Sequence, residues 1–398
     1  VLSAYRPLLQ LPGIGRFVIG AMLARIGAAM FGVAIIVMVS SRRGSYGLAG
    51  AVSAVGLLVL AVAGPLIGRL IDKYGQGRVA RPFVLFSAAA GLATAALSYA
   101  GAPVWTLFVA YGLSACLPVI GPLSRARWAH LLRDDPDTLH AAMSFEQVCD
   151  ECGFVIGPVI AVLLSTMVTP EAGLIGAVVL FTLGELIFLS ARSTEPAVMP
   201  HEDRPRGLAV GRPGLLLVAT ILTMTGLIFG SNEVIAVAVA DARGDKGFSS
   251  VVLAAFATGS MLAGIAYGTR MSGWTLSRRL VVCAGLMCLL EAPALLASNL
   301  WLLAVVMFVA GSATAPMLIT SLSLTQKLVP AAFITEGMAV AVTGILVGIS
   351  IGTSVGGWAV GALGAQAAYA VPVLAGLVSV VLAGAGLLHL ERAELADA

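Results

Sequence analysis

"SFEQVCDECGFVIGPVIAVLL", Ser144 to Leu164, sets three acids (Glu146, Asp150 and Glu151) and a Cys-x-x-Cys pair ahead of an unbroken apolar run. A helix rises 1.5 Å per residue, so about 20 apolar residues cross a hydrocarbon core of roughly 30 Å. Runs of this kind recur along the whole chain, 59% of whose residues are hydrophobic and 11% charged, with a mean hydropathy of +1.00. Soluble domains carry about 25% charged residues, so a soluble fold is excluded. The runs are continuous rather than alternating, which favours helices over a barrel, because a helix satisfies its own backbone groups in lipid.

Twelve spans are predicted, at 15–39, 47–68, 82–99, 104–124, 141–167, 173–190, 214–240, 249–268, 279–296, 300–323, 332–356 and 367–389. Lys and Arg concentrate in cytoplasmic loops. With the N-terminus inside, seventeen of the 23 basic residues fall on inner segments, and only Arg42, Arg43, Arg243 and Lys246 lie outside. Both termini are therefore expected in the cytoplasm of a bacterial inner membrane, the first span staying as an anchor rather than a cleaved signal. The net charge of +3 reports this orientation, and no basic cluster suits nucleic acid.

The polar, Pro-rich stretch at 191–213 separates six spans from six, giving expected halves at 1–190 and 214–398. The halves echo each other: "GPLIG" (Gly64–Gly68) in "GIAYG" (Gly264–Gly268), Val104-Trp105 in Leu300-Trp301, and "AAMSFE" (Ala141–Glu146) in "AAFITE" (Ala331–Glu336). All three occur in order, as in a duplicated transporter.

Two motifs carry a resemblance to the major facilitator superfamily, specifically to its twelve-helix drug:proton antiporters. "GRLIDKYGQGR" resembles the loop between the second and third helices through Gly68, Asp72, Lys73, Gly75 and Arg78, with Gln76 and Gly77 displacing the second base. Its glycines suit close helix approach and a tight turn. "GFVIGPVIAVL" resembles the antiporter signature of the fifth helix at Gly153, Gly157 and Pro158, with Ala161 and Val162 where the family has glycines. The resemblance implies two pseudo-symmetric six-helix bundles rocking around a site lined by spans 1, 4, 5, 7, 8, 10 and 11. It also implies that the first loop acts as a latch. Many antiporters carry an Arg inside the fourth helix; here the deepest base is Arg25, in span 1.

Ionisable residues inside a membrane cost about 2.5 to 3.5 kcal/mol each unless paired or hydrated, which makes them functional candidates. These are Arg25, Glu146, Asp150, Glu151, Glu185, Glu233 and Glu336, with Glu291 near the outer end of span 9. The excess of acids suits proton exchange or a cationic substrate. At about 100° per residue, Asp150, Gly153 and Gly157 lie within about 40° of Glu146, and Glu151 at about 140°. Glu146 and Asp150 thus share the tight-packing face, on a helix expected to be capped at Asp137.

Glu146 and Glu336, near the inner ends of their spans, are read as partners of loop bases such as Arg78 or Arg81. Asp150 and Glu151 are read as substrate or proton residues, or as partners of Arg25. Glu233, after "GSN", could mark a helix break facing the central cavity. The five cysteines read as packing residues, with a soft-metal contact at Cys149 the alternative. No resident metal, cofactor, nucleotide loop or catalytic constellation is indicated. The expectation is an all-α polytopic transporter, monomeric and in contact with lipid, exporting small amphipathic or cationic compounds in exchange for protons. Import by symport, or a non-coupled receptor or lipid-handling role, are the alternatives.

Overall fold

The computed structural model describes residues 14–133, 135–196, 213–268, 274–329 and 334–396. Among them fourteen α-helices follow one another: α1 (Ile14–Arg43), α2 (Tyr46–Tyr74), α3 (Gln76–Tyr99), α4 (Val104–Ser114), α5 (Ile120–Leu131), α6 (Pro136–Met167), α7 (Ala172–Ser190), α8 (Pro213–Ala242), α9 (Ser249–Gly268), α10 (Leu276–Glu291), α11 (Leu300–Gly311), α12 (Thr314–Leu328), α13 (Ile334–Leu363) and α14 (Ala370–Ala396). Eleven segments among the described residues are long and apolar enough to cross a membrane, close to the twelve expected, and α4 is a shorter apolar helix.

The break between α4 and α5 corrects the expectation of one continuous span over 104–124. Pro118 has no N–H to give the Ser114 carbonyl, so the helix stops at Ser114 and restarts at Ile120. The orphaned carbonyl is satisfied from another helix, by the Ser87 hydroxyl of α3. Span 10 is likewise interrupted, between Gly311 and Thr314.

The chain forms two compact units, residues 1–42 with 59–202 and residues 43–58 with 203–398, so α2 is divided between them. In the first unit α1 lies between α6 and α7. A methyl group on Gly20, Gly27 or Gly184 would strike the facing backbone, and the absence of side chains there lets α1 and α7 touch main chain to main chain. Their ends enclose an aromatic cluster in which Phe17 meets Trp128 edge-on at 4.8 Å and Phe188 at 5.6 Å.

In the second unit α8 and α13 pack along a glycine seam. Gly226 and Gly230 of one helix, and Gly344, Gly348 and Gly352 of the other, each face a backbone carbonyl of the partner with no room for a Cβ. The first half of α2 packs on the same helix, where the Ser350 hydroxyl donates to the Ala54 carbonyl at 3.0 Å.

Candidate functional site

α6 begins at Pro136 rather than near Asp137. Asp135 is the cap, its carboxylate accepting from the Thr138 N–H at 3.1 Å, and proline suits the first helical position because its missing N–H would be unpaired there anyway. Asp150 then lies about 20 Å along the helix.

The expected face is real. A Cβ on Gly153 would lie 3.3 Å from Arg25 Cβ, and one on Gly157 would lie 2.8 Å from Ala29 Cβ and 2.9 Å from the Ile26 carbonyl. These two glycines bring α1 close enough for Arg25 to reach both acids of the same face. Its Nη2 pairs with Glu146 Oε2, and its Nε donates to Asp150 Oδ1 at 2.6 Å.

Glu146 is therefore not a partner of the loop bases. It is 2% exposed, and its other oxygen accepts from the Ser124 hydroxyl at 2.7 Å and the Trp128 indole at 2.8 Å. Ser124, Arg125 and Trp128 lie at or just beyond the inner end of the span expected at 104–124, and α5 turns them onto α6. The signal available was their spacing, since Ser124 and Trp128 are four residues apart and share a helix face.

Asp150 differs in being reachable from outside. Its side chain is 22% exposed and is shared between Arg25 and Arg125, whose Nη2 donates to Oδ2 at 2.5 Å. Two guanidinium groups and two carboxylates thus meet among α1, α5 and α6, one carboxylate sealed and one accessible.

A second buried base was also missed, because Arg127 reads as a loop residue in the sequence. It is completely buried. Its Nε donates to Gln76 at 2.7 Å, its Nη1 reaches the carbonyls of Phe188 and Ala191 and the Thr194 hydroxyl at 2.8 to 3.0 Å, and its guanidinium stacks 3.8 Å above the Phe188 ring. Gln76, the residue that displaces the second base of the loop motif, is thus the loop's anchor. Its amide also donates to the Leu123 carbonyl.

The remaining loop residues divide. Gly75 supplies the turn, with φ of 92°. Gly68 makes no close approach, as a Cβ there would meet open space. Lys73 and Arg78 are exposed, and Lys73 lies 5.0 Å over the Tyr74 ring. The Gly77 N–H donates to Glu195 at 2.8 Å, giving the N-terminus of α3 a carboxylate. The second unit repeats this arrangement at the same sequence offset: Glu394 accepts from the N–H groups of Leu276 and Ser277 at 2.9 and 3.1 Å, with Lys327 3.6 Å away.

Other expected residues are dispersed. Glu151 is half-buried away from the shared face. Glu233 is half-buried on an α8 that runs unbroken through it, because Gly230 is used for contact with α13 rather than for a bend. Glu185 is fully buried in α7. The side chains of Asp72 and Glu336 lie outside the described residues, as does most of the 191–213 stretch. The cysteines are free thiols, and among the described residues no group of three or more His, Cys, Asp or Glu could hold a metal ion.

The chain is thus a helical membrane protein with matching caps in its two units and a buried charge network among α1, α5 and α6. It belongs to the major facilitator superfamily, whose family model matches residues 17–290. No curated protein matches the sequence. Among solved structures it is similar to a variant of the nucleoside transporter NupG (14% identity, TM-score 0.74, covering 94% of this chain and 99% of that one). It is also similar to a bacterial homologue of the iron transporter ferroportin in the inward-facing state (16%, 0.74, 95% and 99%) and to the peptide transporter POT in complex with sulfate (15%, 0.71, 96% and 95%).

Proposed function

We propose that the protein is a proton-coupled exporter of small amphipathic or cationic compounds, working as a monomer in a bacterial cytoplasmic membrane with both termini inside. The observation that carries this reading is Asp150: one accessible carboxylate, shared by Arg25 and Arg125, on the helix that bears Gly153, Gly157 and Pro158. With two bases and two acids the network is neutral. Adding a proton to Asp150 leaves one carboxylate for two guanidinium groups, frees Arg125, and changes the relative energies of the states that alternate during transport. A cationic substrate competing with Arg125 for the same oxygen acts in the same sense, which makes exchange of proton against cation natural. Glu146 is the fixed counter-charge of Arg25, while Glu151 and Glu233 are half-buried acids on α6 and α8, two of the helices assigned to the substrate path. The two halves, 1–190 and 214–398, move as six-helix bundles about the 191–213 linker, with the Gly68–Arg78 loop as latch.

The test is flux in proteoliposomes. A cationic dye should accumulate against its gradient when a pH difference is imposed, and Asp150→Asn should abolish the dependence on pH. Dye flux indifferent to the gradient rejects proton coupling, and flux only down the proton gradient in the same direction means symport.

A further inference from the structure

The start of α1 is seated against the last turns of α7: the Phe17 and Phe188 rings lie 5.6 Å apart, and a Cβ on Gly20 would strike the Phe188 backbone. Just beyond this contact the two helices part around an open cleft of about 490 Å³. Gly15 and Arg16 of α1 line one side, and Ser190, Ala191, Arg192 and Ser193, where the chain leaves α7, line the other.

Arginines at a helix C-terminus ordinarily answer its carbonyls and its partial negative charge. Here those carbonyls are served from inside. Arg127 Nη1 donates to Phe188 and Ala191 at 2.9 and 3.0 Å, and Arg81 Nη2 donates to Leu189 at 3.0 Å. Arg16 and Arg192 are left exposed on the cleft, and among the described residues neither guanidinium has an ion-pair or hydrogen-bond partner. The nearest acid in sequence, Glu195, is turned to α3, where it accepts from the Gly77 N–H at 2.8 Å. The cleft thus presents two uncommitted guanidinium forks beside the Ser193 hydroxyl, with no carboxylate among its lining residues.

A guanidinium fork matches a phosphate through two parallel N–H···O bonds, so the polar part of the cleft suits a phosphate group. The surface next to it says which kind. Ile19, one turn along α1 from Gly15 and Arg16, is 58% exposed, and Leu183, two turns before Ser190 on the same stripe of α7, is 51% exposed. Apolar tracks therefore run from the cleft along both helices into the membrane. A free phosphate would use the arginines alone, whereas an anionic head carrying acyl chains uses both parts. Basic pockets between membrane helices take such headgroups.

We infer that the cleft between the start of α1 and the end of α7 binds the phosphate headgroup of an anionic phospholipid, held by Arg16 and Arg192, with its chains along Ile19 and Leu183. Bound there, the lipid fastens α1, the helix that carries Arg25, to α7. The site stands apart from proton exchange at Asp150, so each can fail alone.

The test uses the intact protein, delipidated in a neutral detergent and titrated with phosphatidylglycerol, phosphatidylcholine or inorganic phosphate at constant ionic strength. Phosphatidylglycerol should raise the thermal midpoint saturably, and the other two should not. In the double variant Arg16→Gln with Arg192→Gln, both at exposed positions, the phosphatidylglycerol needed for half-effect should rise about tenfold or more. Arg392→Gln, which removes an exposed base near the end of α14, should leave it unchanged. A midpoint that answers both lipids alike, or neither, overturns the site. A loss as large in Arg392→Gln as in the double variant means general attraction between basic surface and anionic micelle, and overturns it too. A response unchanged in the double variant places the lipid elsewhere, and one reproduced by inorganic phosphate makes the cleft a site for free anions; either result overturns the lipid site.

Discussion

Arg25 Nε donates to Asp150 Oδ1 at 2.6 Å, joining the first span to the fifth across 125 positions of sequence. The same guanidinium holds Glu146, so one buried base fixes the spacing between a sealed acid and an accessible one. The two acids therefore differ in what their removal should cost.

Removing Glu146 leaves buried Arg25 with Asp150 as its one remaining carboxylate and takes away the partner of Ser124 and Trp128. Glu146→Ala is expected to cost about 3 to 5 kcal/mol, the range for breaking a buried pair. Asp150→Asn, at a partly solvated position, should cost about 1 kcal/mol or less. Chemical denaturation in detergent measures both. Equal losses would show that the two acids play the same role.

The glycines of the site differ in what they face. Gly157→Val should destabilise by about 1 to 3 kcal/mol through overpacking against Ala29 and Ile26, and should slow transport by displacing Arg25. Gly68→Ala meets nothing within 4 Å and sits inside a helix, so it should be neutral or stabilising by about 0.5 kcal/mol. Paired thermal midpoints decide this.

Arg127 reaches the α2–α3 loop through Gln76 and two carbonyls and a hydroxyl at the end of α7 through Nη1. Arg127→Lys keeps the charge but loses the planar fork, and should raise the reactivity of a cysteine introduced at Gly77 at least severalfold. Unchanged labelling would mean that the loop is held by Glu195 alone.

Glu394 satisfies two backbone N–H groups at the start of α10. Glu394→Ala should cost about 0.5 to 2 kcal/mol, as loss of a helix cap does, and should speed amide exchange at Leu276 and Ser277. Exchange unchanged at those two amides would remove the cap from the account.

Glu171, in the turn between α6 and α7, meets Arg42 through two hydrogen bonds at 2.7 and 2.9 Å. Burial pushes its carboxyl up, but the Arg42 bonds and charge outweigh that and hold it below its ordinary value of about 4.5. The folded state therefore binds this proton less readily than the unfolded one. The resulting stability is complete above the ordinary value and is lost as pH falls through the lower folded one. Acid titration of the thermal midpoint should show a decline below about 4.5 that is smaller in Glu171→Gln.

Composition and run length by themselves determined a helical membrane chain, because the thickness of lipid and the need to satisfy backbone groups leave few solutions. Helical periodicity likewise determined that Glu146, Asp150, Gly153 and Gly157 share a face, since that is a property of one helix. The sequence did not say what that face meets. Arg125 and Arg127 read alike as loop bases, and only the break at Pro118 and the turn of α5 sent one to Asp150 and buried the other beneath α7. The matched caps of Glu195 and Glu394 escaped notice for a related reason: each acid acts on backbone N–H groups, which carry no residue identity. Which charges pair depends on how closely helices approach, and that distance is decided by glycine contacts between segments far apart in the chain.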